Sequence, residues 1–202
     1  MIKRALRAVF AGLIVLTLSA CVATEEPLSL GESVQLLPAH ALLHLEDKGK
    51  DEFYRLVYDK GMYLVSEKGS SNKPDPMALY KLPGLPKGYH IGWMLLGSGT
   101  SYEDNYYNTV WLEKSPTGRS QVVMFIPTDE NKQAIAEAMN VSPREGPKIK
   151  SAEEMVAYSQ TLFKLSNELK KGYLDIYDLS NKDDYAKAEA LVGAGFLTGA
   201  EK

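Results

Sequence analysis

The sequence predicts an α+β fold: an antiparallel β-sheet, arranged as a sandwich or a small barrel, followed by two or three packed helices. Three observations predict it. Between residues 33 and 127, seven short stretches rich in branched and aromatic residues recur, bounded by turn-forming residues. After Pro127 the apolar spacing changes to threes and fours. Finally, 202 residues, 45% hydrophobic and 24% charged, suffice for one domain with a real core and carry no low-complexity signature.

The N-terminus stands apart from this domain. Lys3, Arg4 and Arg7 make a positive start, and residues 8–20 then run thirteen positions without a charge. That is too short to span a bilayer, which takes about 20 apolar residues, and it matches the apolar region of a secretory signal. The stretch ends in Leu18-Ser19-Ala20-Cys21. This resembles the lipobox of bacterial lipoproteins, in which an aliphatic residue and two small ones precede an invariant cysteine. The resemblance implies cleavage by signal peptidase II between Ala20 and Cys21, a diacylglyceryl group on the Cys21 thiol, and acylation of the freed amine. It covers residues 1–21 only. Val22 follows the cysteine where inner-membrane retention would place aspartate, so the resemblance further implies an outer-membrane protein facing the periplasm of a Gram-negative host. Several acyl chains on one residue would make the attachment durable, since buried methylenes contribute roughly 0.8 kcal/mol each. The expected organisation is a signal peptide over 1–20, a lipidated cysteine and tether over 21–32, and a single periplasmic domain over 33–202. Glu25, Glu26, Pro27 and Gly31, with no apolar period, suggest the tether.

Within the domain, strands are expected over 39–46, 51–58, 62–66, 78–82, 89–96, 109–114 and 121–126. Asp59-Lys60-Gly61 suits a three-residue hairpin loop with glycine in the left-handed position. Ser115-Pro116-Thr117-Gly118 suits a type I turn. Trp93 and Trp111 fall in strands and are expected in the core. Beyond Pro127, Thr128 or Asp129 caps a helix through Met139. Ser151-x-x-Glu154 is a capping box, followed by Met155, Tyr158, Leu162, Leu165 and Leu169 at helical spacing, with Gly172 at the end. Residues 173–179 return as a strand, and Ser180-x-x-Asp183 opens a last helix stopped by Gly193 or Gly195.

Composition removes several functions. Net charge is −3, and three of the 23 basic residues but none of the 26 acidic ones precede Cys21, leaving −6 from Cys21 onward. An acidic chain without a basic field is not a nucleic-acid partner. A single cysteine forms no intrachain disulfide and no multi-cysteine metal cage.

Each constellation with chemical content meets a plainer account. His40-x-x-x-His44, with Glu46 nearby, would serve zinc on a helix, but the segment reads at least as well as a strand, where such residues stand farther apart. His90 precedes Gly97-Ser98-Gly99-Thr100-Ser101, so Ser98 or Ser101 could serve as a nucleophile with His90 as its base. The spacing is neither a nucleophile elbow nor a P-loop. Glu103/Asp104 and Asp183/Asp184 are adjacent carboxylates, unlike the opposed pair of a glycosidase, and the latter lacks the EF-hand pattern. Tyr102, Tyr106 and Tyr107 concentrate rings in a polar stretch and are the candidates for a recognition surface; the alternative is that they line sheet faces.

The expectation is a membrane-anchored, non-enzymatic lipoprotein without a metal or cofactor. Its role is to bind or scaffold an envelope protein or cell-wall component. The alternatives are a carrier of a small apolar ligand, held between sheet and helices, and an envelope hydrolase using His90.

Overall fold

A computed structural model describes residues 22–199, apart from 25, 48, 71, 97–103, 126–127 and 143–146. In chain order the elements are β1 (Val22–Thr24), β2 (His40–Asp47), β3 (Lys50–Asp59), β4 (Met62–Glu67), β5 (Asp75–Tyr80), β6 (Tyr89–Leu96), β7 (Asp104–Lys114), β8 (Ser120–Phe125), α1 (Asp129–Met139), α2 (Ala152–Lys164), β9 (Lys171–Asp178), α3 (Lys182–Val192) and α4 (Ala194–Thr198). Strands β2 to β9 each pair antiparallel with the next, and β9 pairs back onto β2. The result is a closed, eight-stranded up-and-down barrel, a form that removes the sheet's free edges. Closure brings 41–45 against 174–178, across the two helices inserted before β9.

Eight strands give a barrel whose interior side chains nearly fill. Here they do fill it. Ala41, Leu43, Leu56, Tyr63, Val65, Leu79, Val110, Val122, Leu174 and Ile176 form the inner core. One end is crossed by the segment before β2. Ser33 bridges Tyr80, and the buried Leu37 both receives a hydrogen bond from the Tyr63 hydroxyl at its carbonyl (2.7 Å) and donates one to it from its amide (2.9 Å).

Two further layers cover parts of the outer wall. Over β6–β8, Ile91, Tyr107, Trp111, Val123 and Phe125 meet Ile135 of α1 and Met155, Tyr158 and Leu162 of α2. Over β2, β3 and β9, Leu42, Phe53 and Tyr177 meet Ala188 and Val192 of α3 and Phe196 and Leu197 of α4.

Within the stretch expected as a tether, residues 22–24, Leu28 and Leu30 pack on the barrel. Val22–Thr24 pairs with Asn105–Tyr107 of β7, along the same edge that β8 occupies farther on. Val22 and Leu30 are buried in the α1–α2 layer, and the Leu28 amide donates to the Tyr107 hydroxyl at 2.6 Å. Apolar contacts at Val22 and Leu30 outweigh the charged and turn-forming residues between them.

Other boundaries shift for local reasons. The β3–β4 turn holds two residues, with Asp59 paired to Met62 and both Lys60 and Gly61 at positive φ (48° and 88°). That is the backbone a tight hairpin of primed type needs. Gly118 at φ 82° donates to the Ser115 carbonyl, as the expected turn requires. Thr128 caps α1 and Ser151 caps α2, each accepting from the amide three residues on. α2 stops at Lys164, although Leu169 is buried in the same layer. Asn181, not Ser180, caps α3 through Asp183 and Asp184 amides. Gly193 ends it, and a fourth short helix follows.

Candidate functional site

Strand alternation fixes what the second outer layer can contain. On β3, Tyr54, Leu56 and Tyr58 pack with the inner core, so Phe53, Arg55 and Val57 face outward. Register sets Val57 beside His40 and Arg55 beside Leu42. β9 then leads through Leu179 and Ser180 into α3, the Leu179 amide bonding the His40 carbonyl at 3.0 Å. Gly193 at φ 83° turns the chain into α4, and Gly199 at φ 77° ends α4 over Arg55. A Cβ at Gly199 would lie 2.9 Å from Nη1 and 3.0 Å from Nη2, so the guanidinium packs closely against this glycine and a side chain there would have to push it aside.

The helices do not seal this wall. A cleft of about 190 Å³ remains, lined by His40, Arg55, Val57, Ser180, Tyr185 and Leu197 among others. The Arg55 Nε is buried and has no hydrogen-bond partner among the described residues. Chemically, the arrangement is a fixed cation, an imidazole and two hydroxyl-bearing residues beside an apolar wall. Such a set binds an anion that also carries some hydrocarbon.

The expected site residues fare differently. Ala20, Cys21, Ser98, Ser101 and Tyr102 lie outside the described residues. Tyr107 is 1% exposed, within the α1–α2 layer, and its burial pushes its pKa up. Tyr106 is half-buried on β7. Trp93 donates from Nε1 to Asn105 at 2.9 Å and Trp111 is buried, both packing in the outer layer as expected for the core.

His90 is the second residue of β6 and sits 3.1 Å from the Gly88 carbonyl through Nδ1; burial, then Lys81, lowers its pKa. Leu96, which ends β6, lies six residues on from His90, about 20 Å along the strand at the usual rise.

His40 and His44 both lie on β2, about 13 Å apart by strand rise. His44 bonds Asp51 at 2.8 Å and stacks on Phe53, ring centroids 4.7 Å apart, while His40 borders the cleft. Among the described residues no group of three metal-ligating side chains comes together, and no helix is long and apolar enough to cross a membrane.

Sequence reasoning missed Arg55. Its signal was an outward face reading Phe53, Arg55, Val57: a single cation between apolar neighbours, where a solvent-facing strand would alternate in polar residues.

No family model, curated protein or solved structure matches the chain. The fold and the cleft are therefore read from their own geometry: an α+β protein built on a small closed barrel.

Proposed function

We propose that the protein is a bacterial envelope lipoprotein, anchored through diacylglyceryl and acyl groups on Cys21, with a binding or scaffolding role in the periplasm. The observation that carries the reading is Leu18-Ser19-Ala20-Cys21 behind a basic start and an uncharged stretch of thirteen residues. On this reading residues 1–20 are removed, the lipid holds the protein at the outer membrane, and the barrel faces the periplasm. Its partner is another envelope protein or a cell-wall component.

The pairing of β1 with β7 gives the anchor a consequence. β1 starts at Val22, so a lipid on Cys21 would be attached directly beside the barrel wall. The domain would rest at the headgroups instead of swinging on a spacer.

A carrier role has less in its favour. The inner core and the α1–α2 layer are occupied by the protein's own side chains, which an apolar ligand would have to displace. Growth with an alkyne fatty acid, comparing wild type with Cys21→Ser, tests the anchor. The expected result is label in wild type and none in the variant; equal label in both overturns it.

A further inference from the structure

We infer that the cleft between the β2–β3 wall and helices α3–α4 is a binding site for a short-chain organic carboxylate. The inference stands on the cleft alone and holds whether or not Cys21 carries a lipid.

Charge comes first. Arg55 brings a guanidinium to the wall of the cleft, and a buried N–H without a partner is costly. Its Nε is such a group among the described residues. Gly199, having no side chain, leaves space for the guanidinium beside the end of α4. α4, ended by a left-handed cap whose amide bonds Gly195 and Phe196 carbonyls, leaves Nε without a partner. Nε itself is closed to a water-sized group, so a carboxylate in the cleft would meet the terminal Nη1 and Nη2 groups, whose parallel N–H bonds fit its two oxygens.

Shape comes second. At about 30 Å³ for each water, the 190 Å³ cleft is worth roughly six waters. It is smaller than the pockets that take drug-sized ligands, and it suits an anion of about six to eight heavy atoms. Val57, Leu179 and Leu197 offer an alkyl chain an apolar wall beyond the cation, with His40 and Tyr185 at its margin. A fully hydrated inorganic anion would leave that wall wet.

The test is a titration of the full ¹⁵N-labelled chain in nonionic detergent with sodium butyrate, sodium phosphate and 1-butanol at constant ionic strength. The readout is the Arg55 Nε–Hε signal. Butyrate is expected to shift it saturably and 1-butanol to leave it in place. Arg55→Gln is expected to weaken butyrate binding about tenfold or more, as loss of a charge-assisted hydrogen bond does. Arg55→Lys, which keeps the charge without the fork, should bind between the two. The inference is overturned if butyrate gives no saturable shift, if Arg55→Gln binds as tightly as wild type, or if phosphate binds as tightly as butyrate. Should Arg55→Gln not fold, the wild-type signal and Arg55→Lys decide.

Discussion

The α1–α2 side of the barrel and the α3–α4 side solve the same packing problem to different degrees. On the first, the polar groups that come inside are paired. The Thr109 and Ser159 hydroxyls lie 2.8 Å apart, and Ser159 also bonds the Met155 carbonyl. Asn131 reads residue 170 in both directions, donating to its carbonyl and accepting from its amide, each at 3.0 Å. On the second side an arginine is brought in with its Nε unpaired, and a cleft stays open beside it. Paired groups hold an interior together, whereas an unpaired cation in a cleft keeps its bonding capacity for something else. The first side is a seal, and the second is a site.

The largest expected effect lies in the seal. Phe125 is fully buried, its ring 5.2 Å from that of Trp111. Phe125→Ala should cost about 3–5 kcal/mol in urea denaturation, through lost burial and the cavity left behind. A loss below about 1 kcal/mol would mean that this layer is looser than described.

Asn131→Ala comes next. It strands the amide and carbonyl of residue 170 and should cost about 1–3 kcal/mol by the same measurement. No loss would remove the contrast with the open side.

Arg55→Met should behave the opposite way, with a change within about 0.5 kcal/mol or a gain, because an unpaired buried donor leaves and an apolar chain of similar length takes its place. A loss above about 2 kcal/mol would make Arg55 part of the seal.

The smallest effect concerns the barrel's interior polar end. Burial, then Glu52 and Asp75, raises the Glu67 pKa, while the Tyr54 hydroxyl donates to Glu52 at 2.7 Å. A carboxyl whose folded pKa is raised stabilises the fold fully below its unfolded pKa, and that stability is lost as pH rises through the folded pKa. Glu67→Gln should therefore raise Tm at pH 7, and the advantage should disappear by about pH 4, near the ordinary carboxyl range. A gain that does not change with pH would assign the effect to packing instead.

Much of the fold was legible because period and turn chemistry are local. Helix caps at Thr128 and Ser151, the turn at Gly118 and the return strand before Ser180 all lie where neighbouring residues dictate. Closure was not legible: β2 meets β9 only after two helices have intervened, and no local signal distinguishes that barrel from a sandwich. β1 was hidden because three residues are too few for a period, and α4 because five are. Leu165 and Leu169 continued the helical spacing of α2 without continuing the helix, since burial alone, here through turns, also preserves an apolar position.

The candidate site was less legible still. The sequence drew attention to His40 for metal binding, whereas its position matters through Arg55, a neighbour that only strand register supplies. Cys21 was conspicuous for the opposite reason, because all that marks it is contiguous.

The two sides also bear on how the protein would sit in the envelope. Val22 belongs to the sealed side, so a lipid on Cys21 would attach there and leave the cleft to face the periplasm. Lipid anchorage at Cys21 is tested most directly by the intact mass of the protein extracted from membranes. The predicted mass is that of a chain beginning at Cys21, with residues 1–20 gone and a diacylglyceryl group and an acyl chain added. A chain that retains residues 1–20, or one that begins at Cys21 without added lipid, would contradict it.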